Sequence, residues 1–139
     1  MMSAFSPVYF ADENALGLAK LLRRAGREDV LHPGRPALPE VPLGTPDLEW
    51  MPIAGAAGFI VVTRDRRIRT RPAELAAYRE HGIRSVWIGV KHDLRPEKQA
   101  ALFLRHEERL VREIIKRGEG PWALAMSTRD LRPVRLSGW

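Results

Sequence analysis

The sequence predicts an α/β protein, a three-layer α/β/α sandwich around a mainly parallel central sheet. Short apolar segments typical of strands alternate with longer segments whose apolar residues recur at helical spacing, and the links between them are short. This alternation implies right-handed crossovers and a parallel sheet. A chain of 139 residues is long enough to bury one core. We therefore predict one domain over residues 1–126, followed by a basic tail over residues 127–139.

The predicted strands are short and apolar, as expected for strands that are buried on both faces. The clearest of them is the Phe-Ile-Val-Val run at residues 59–62. The others are expected at residues 8–11, 29–32, 85–88 and 122–126, the last of these as an edge strand.

The predicted helices connect these strands. Gly26 ends the first helix, and the Thr45-Pro46-Asp47 sequence begins the second, with the threonine hydroxyl as its cap and fraying near Pro52 or at residues 55–58. Residues 33–46 contain five prolines and form a loop, either a lid or partner surface or an ordinary surface excursion. Two further helices are expected at residues 73–81 and 96–117.

Carboxylates follow the ends of two predicted strands. Asp12 comes directly after the first strand, and Asp65 lies just beyond the Phe-Ile-Val-Val run. Ligands of an open parallel sheet bind outside the carboxyl ends of its strands, so we expect both acids at one edge. Asp47 and Glu49, from the second helix, can lean over the same edge, while Asp12 or Asn14 can also cap the first helix. Acids this close repel one another unless a cation lies among them.

Mg²⁺ suits these acids because it takes oxygen ligands and usually needs only one or two protein carboxylates plus substrate phosphates. The four histidines show no zinc-ligand spacing, and the lack of cysteine excludes thiolate sites and disulfides. The sequence has no nucleophile elbow, no dinucleotide-binding glycine motif and no P-loop. Serine hydrolases, dinucleotide enzymes and P-loop NTPases are therefore set aside.

Five arginines surround Asp65 and would neutralise the phosphates of a polyanionic partner, in agreement with a net charge of +6. The alternative is a solvated loop whose arginines keep the protein soluble. Tyr78, Trp87 and Trp50 can stack on bases, although a place in the core fits each of them better. The arginines are Arg64, Arg66, Arg67, Arg69 and Arg71.

The sequence indicates no membrane association. No apolar run approaches the roughly 20 residues of a membrane span, and the chain start lacks the basic segment and apolar core of a signal peptide. The lack of cysteine fits a reducing compartment. We therefore expect a soluble protein in the cytoplasm.

Three segments of the chain resemble the PIN-like nucleases, in particular the branch of the Mut7-C type domains and the VapC-like toxins of bacterial toxin–antitoxin pairs. They are the Val-Tyr-Phe-Ala-Asp-Glu-Asn run at residues 8–14, the Asp-x-Glu-Trp motif at residues 47–50, and residues 59–68, which contain Thr-Arg-Asp. The resemblance covers about residues 8–88. The order of the three segments along the chain is more specific than any one motif.

The resemblance implies a parallel α/β/α sandwich that binds Mg²⁺ or Mn²⁺ and acts as an endoribonuclease. Position by position, Asp12, Asp47 and Asp65 match the metal-binding acids of the family. Thr63 matches the hydroxyl that orients the site, and Glu49 can share the role of Asp47. The resemblance also implies a homodimer and a small cognate antitoxin that covers the groove.

The chain departs from the family pattern at a fourth acid. Many members have another carboxylate shortly after the third, where this chain has Arg66 and Arg67. Glu74 and Glu80 are candidates to replace it. Glu107, near the apolar stripe of the longest predicted helix, reaches the acidic site, lies at the rim of that stripe or pairs with an arginine.

Three functions follow from these observations. The first is a metal-dependent endoribonuclease, the toxin of a toxin–antitoxin pair. The second is a non-catalytic RNA-binding protein of the same family, which the missing fourth acid favours. The third is a phosphoacceptor domain of receiver type that uses Asp12, Asp65 and Lys91, although the arginines after Asp65 and the proline-rich loop fit it poorly.

Overall fold

Six strands form the sheet of the computed structural model, which describes residues 6–65, 71–89 and 94–135. They are β1 (Tyr9–Ala11), β2 (Val30–Leu31), β3 (Ile60–Thr63), β4 (Arg84–Ile88), β5 (Trp122–Met126) and β6 (Leu131–Pro133). The strand order is β2-β1-β3-β4-β5-β6. Strands β1 to β5 run parallel, and β6 pairs antiparallel with β5.

The helices lie on both faces of this sheet. They are α1 (Leu16–Arg24), preceded by a 3₁₀ turn at Glu13–Ala15, then α2 (Asp47–Ala57), α3 (Pro72–His81) and α4 (Pro96–Arg117). None of the helices in the described residues is both long and apolar enough to cross a bilayer.

Successive side chains of each strand point to opposite faces of the sheet, and this alternation divides the core into two layers. In β3, Ile60 and Val62 join a cluster with residues of α1 and α4, whereas Val61 joins a cluster with residues of α2 and α3. Trp50 and Trp87 are among the buried side chains of the second cluster. The structure therefore confirms the predicted three-layer sandwich and gives these two aromatic side chains their place in its core.

The second helix begins one residue later than predicted and ends at the later of its two predicted positions. Its cap is Pro46 rather than Thr45, whose hydroxyl instead donates at 2.6 Å to a backbone carbonyl three residues earlier. The helix continues through Pro52 and ends at Ala57, with Gly58 as its C-cap, as the second alternative predicted. An interior proline costs about 3 kcal/mol. Burial of Trp50 and Met51 offsets that cost, because each large buried side chain contributes roughly 1.5–3 kcal/mol.

The predicted edge strand, β5, is an inner strand. β6 comes from the predicted basic tail and pairs with β5, so that Met126 lies opposite Leu131. In the connecting turn the hydroxyl of Ser127 accepts the backbone N–H of Asp130 at 3.1 Å. A Leu-Arg-Pro strand of three residues is too short to show alternation, so the sequence pattern did not indicate it.

Gly55 allows α2 to approach α3 closely. A Cβ atom at this position would lie 2.4 Å from the carbonyl oxygen of His81. We predict that Gly55→Ala lowers the free energy of unfolding by about 1–3 kcal/mol, because the two helices must separate. Urea unfolding followed by circular dichroism measures this change.

A matched control is Ala56→Ser, which adds one heavy atom at the next, exposed position of the same helix. Its free energy of unfolding should change by less than about 0.5 kcal/mol. Equal losses in the two variants would show that the close approach of the helices is not the cause.

Candidate active site at the carboxyl edge of the sheet

The ends of β1 and β3 bring two predicted acids together. The strands pair in parallel with Ala11 opposite Val62, and the Asp12 N–H donates to the Val62 carbonyl at 3.1 Å. The Thr63 hydroxyl donates to Oδ2 of Asp12 at 2.5 Å and accepts the backbone N–H of Asp65 at 3.0 Å. One buried hydroxyl therefore fixes the side chain of one acid relative to the backbone of the other.

The carboxyl group of Asp12 is almost fully buried, since only 2% of the residue is exposed. Its Oδ1 accepts the backbone N–H of Asn14 at 3.1 Å and so caps the 3₁₀ turn, whereas the predicted cap position of α1 itself is taken by Ala15, which makes no side-chain bond. Burial raises the pKa of Asp12 to about 7, and repulsion from Asp47 adds to the rise, while the bonds from Thr63 and Asn14 oppose it. The site therefore contains a carboxyl group that titrates near neutral pH.

Asp47 is the first residue of α2 and is half-buried. Trp50, one turn later, donates its indole N–H to Oδ1 of Asp47 at 3.1 Å. Because Trp50 is itself buried in the core, this bond fixes the orientation of the carboxylate. The charge of Asp47 raises the pKa values of both Asp12 and Arg71, so these side chains form one electrostatic group.

Arg71 joins Asp65 to a further acid, Glu74. Its Nη1 lies 3.3 Å from Oδ2 of Asp65 and 3.0 and 3.2 Å from the two carboxylate oxygens of Glu74. Both acids are buried, whereas 38% of the Arg71 side chain is exposed. The bond to Glu74 is the largest cause of the raised pKa of Arg71. One guanidinium therefore compensates two buried carboxylates.

The structure separates the two candidates for a fourth acid. Glu74 lies at the site, whereas Glu80 lies beside His81 near the other end of α3, with 75% of its side chain exposed. The sequence signal that could have selected Glu74 is an arginine three residues earlier, at the start of a helix.

Glu49 is the predicted site residue that the structure does not bring to this group. It is exposed and follows Asp47 by two positions on the same helix. Two positions correspond to about 200° around the helix axis, so the two carboxylates project in nearly opposite directions.

Two of the five predicted RNA-binding arginines can be placed. Arg64 is half-buried directly before Asp65, and Arg71 holds Asp65 and Glu74 as described above. Lys91, which the receiver-type alternative requires, lies outside the described residues. So do the three remaining arginines, Arg66, Arg67 and Arg69.

The donor atoms at this edge suit a hard divalent cation, because Mg²⁺ and Mn²⁺ prefer carboxylate oxygens. Within the described part of the chain, no three His, Cys, Asp or Glu side chains are grouped as metal ligands. At this edge the guanidinium of Arg71 lies 3.3 Å from an oxygen of Asp65. One or two carboxylates together with substrate phosphates are still enough for Mg²⁺.

Glu107 belongs to a different cluster. Arg27 forms four hydrogen bonds with Asp29 and Glu107, two to each carboxylate, at 2.5–3.0 Å. This cluster lies at the amino end of the sheet, where the Tyr9 N–H donates to the Asp29 carbonyl. Glu107 therefore pairs with an arginine, as one of its alternatives predicted, and is separate from the acidic edge.

Comparison with known proteins gives a match to a family model. A family model described as a PIN like domain matches residues 7–90, which is more than half of the chain. The matched residues include Asp12, Asp47, Thr63, Asp65 and Glu74. No curated protein and no solved structure matches the chain. The match confirms the PIN-like resemblance and indicates a nuclease-type function in general.

Removal of the Thr63 hydroxyl should raise the pKa of Asp12 further. Thr63→Val keeps the shape of the side chain but deletes the hydrogen bond that opposes the effect of burial. A ¹³C NMR titration of the Asp12 carboxyl in metal-free buffer should therefore give a pKa above about 7.

Thr128→Val is the matched control, because Thr128 is exposed in the turn between β5 and β6. It should leave the pKa of Asp12 equal to that in the wild type. An Asp12 pKa unaltered by Thr63→Val would contradict the role given to the hydroxyl.

Asp12 should make the protein less stable as the pH rises from about 4 to about 7. Its carboxyl has an ordinary pKa of 3.8 in the unfolded chain and a pKa of about 7 in the folded one, so only the folded state keeps the proton in this interval. The contribution of Asp12 to the free energy of unfolding therefore falls with rising pH, by up to about 4 kcal/mol. Asp12→Asn has no such group, so its free energy of unfolding should rise relative to that of the wild type as the pH increases from about 4 to about 7. Urea unfolding at several pH values in metal-free buffer measures this difference.

For Asp130→Asn, the stability relative to the wild type should change with pH in the opposite direction to that of Asp12→Asn. Arg132 and Ser127 lower the pKa of Asp130, so its stabilisation is present above 3.8 and is lost as the pH falls through the lowered pKa. The substitution should cost more stability at neutral pH than in acid. The same direction of change in both variants would contradict the assignment of the two shifts.

Proposed function

Because the chain belongs to the PIN-like domain family, we propose that it is a Mg²⁺- or Mn²⁺-dependent endoribonuclease that hydrolyses RNA phosphodiester bonds. The observation that supports this most directly is the convergence of acids from three separate segments at one edge of the sheet. Asp12 and Asp65 share the hydroxyl of Thr63, and Asp47 acts on Asp12 through its charge. Acids grouped in this way are suited to hold a cation against a phosphate.

In this proposal Asp12, Asp47 and Asp65 hold the divalent cation. When bound, the ion supplies the charge that activates a water molecule and neutralises the phosphate. Thr63 keeps the carboxylate of Asp12 in position by donating to Oδ2. A proton and a cation compete for the same carboxylate, and the pKa of Asp12 is about 7. Cation binding should therefore weaken as the pH falls below neutral.

The arginines bind the RNA backbone in this proposal. A net charge of +6 favours a polyanionic partner, and guanidinium groups suit phosphate. Stacking of bases on Trp50, Trp87 or Tyr78 is no part of the proposal, because each of these residues is at most 2% exposed. The arginines are Arg64, Arg66, Arg67, Arg69 and Arg71.

We further propose that the nuclease is the toxin of a toxin–antitoxin pair, that it acts in the cytoplasm as a homodimer, and that a small cognate antitoxin covers its groove. The support is the resemblance to Mut7-C type and VapC-like proteins in residues 8–14, 47–50 and 59–68. Expression of the wild type alone in a bacterial host should stop growth. Expression of Asp65→Asn should not, and normal growth with the wild type would argue against a toxin.

A second candidate is a non-catalytic RNA-binding protein of the same family. Two observations favour it. Arg71 compensates Asp65 and Glu74, and the described residues contain no group of three side chains arranged as metal ligands. Such a protein would bind RNA through its arginines and would not need the acids.

An RNA cleavage assay separates the two candidates. The purified wild type should cut single-stranded RNA in Mg²⁺, and a chelator should stop the reaction. Asp12→Asn and Asp65→Asn should each lower the rate by about 100-fold or more, since each removes a carboxylate that holds the cation in this proposal. Separation of the RNA fragments on a gel at timed intervals gives the rates.

The control is Glu119→Gln, which removes an exposed carboxylate just before β5, at the opposite edge of the sheet. Its cleavage rate should equal that of the wild type. RNA that the wild type binds but leaves intact would favour the second candidate. RNA that is neither bound nor cut would reject both.

A further inference from the structure

Glu74 is a buried acid that has no role in the function proposed above. It lies in the first turn of α3, is 6% exposed, and accepts hydrogen bonds from Arg71. Asp65 is also buried and lies 3.3 Å from the same guanidinium nitrogen. Two buried carboxylates that share one cation form an arrangement that a divalent ion can also satisfy. In this structure the guanidinium of Arg71 supplies the positive charge that the two carboxylates share.

The three side chains of this cluster differ in their freedom to move. Asp65 lies two residues after the end of β3, and its backbone N–H donates to the hydroxyl of Thr63. Glu74 is packed within α3. Arg71 lies at the cap position of the same helix, and 38% of its long side chain is exposed. The guanidinium can therefore turn into solvent while the two acids keep their places.

We propose that Arg71 is an exchangeable counter-ion: a divalent cation displaces its guanidinium from Asp65 and Glu74, and the released guanidinium binds a phosphate of the RNA backbone. This inference rests on the proposed metal-dependent nuclease function and adds Glu74 to the acids that hold the cation. Arginine suits both positions, because its planar fork binds carboxylate and phosphate in the same way. Cation binding and RNA binding are then coupled, since each favours the released state of Arg71.

Arg71→Met tests the first half of the exchange. The substitution keeps an unbranched side chain and removes the charge with which the cation competes. In a calorimetric titration without RNA, the variant should bind Mn²⁺ about tenfold more tightly than the wild type. Mn²⁺ should also raise the melting temperature of the variant more than that of the wild type, because the variant lacks the guanidinium that compensates Asp65 and Glu74 in the wild type.

The matched control is Arg112→Met, which removes one positive charge from an exposed pair with Glu108 on α4. It should bind Mn²⁺ as the wild type does. Binding by Arg71→Met that is equal to or weaker than that of the wild type would overturn the exchange, while RNA cleavage would still support the nuclease. Lack of Mn²⁺ binding by all three proteins would overturn both the exchange and the metal dependence.

RNA binding tests the second half of the exchange. Fluorescence anisotropy with a single-stranded 2′-O-methyl oligonucleotide, checked on a gel to be intact, should show that Mn²⁺ strengthens binding by the wild type about fivefold or more. Arg71→Met should lose this gain, and Arg112→Met should keep it. The same gain in Arg71→Met as in the wild type would show that the released guanidinium does not bind phosphate.

Discussion

The burial of carboxylates at the carboxyl edge of the sheet is the constraint on which the rest of the site depends. A charge that leaves water must be paired or hydrogen-bonded, or it is lost by protonation. Asp12 obtains hydrogen bonds from the Thr63 hydroxyl and the Asn14 N–H, and Asp65 and Glu74 share Arg71. The compensation of Asp12 is incomplete, as its raised pKa shows. Among the described residues, Asp12 is therefore the acid of this edge whose charge is not fully compensated.

Those parts of the fold that depend on local signals could be predicted from the sequence. The bounds of α4, Pro96–Arg117, agree with the prediction at both ends, because proline in the first turn and glycine after the last are strong local signals. Strands β1 to β5 were predicted from their short apolar segments, whereas β6 was not. The proximity of Asp12 and Asp65 followed from one topological rule, that parallel strands end at the same edge of the sheet.

The remaining parts depend on contacts between distant segments, which a local pattern does not contain. Pro52 remains inside α2 because the helix is packed on the sheet, and β6 forms because β5 offers it an edge. Glu49 has the residue type of a site acid, but its position on the helix turns it away from Asp47. Glu74 belongs to the site because Arg71 reaches it and Asp65 together, which requires the end of β3 and the start of α3 to be neighbours.

The two acidic clusters of the protein show how a stabilising ion pair differs from one that is available for chemistry. At the amino end, Arg27 holds Asp29 and Glu107 with four hydrogen bonds and lowers the pKa of Asp29. At the carboxyl edge, Asp12 has no ion-pair partner among the described residues, and its pKa moves in the opposite direction. A net charge of +6 acts on both acids alike, so opposite shifts must come from local geometry. Among the described residues, the carboxylate of Asp29 is therefore held by an arginine, whereas that of Asp12 is not, and a buried carboxylate of the second kind is the one that is available to a cation.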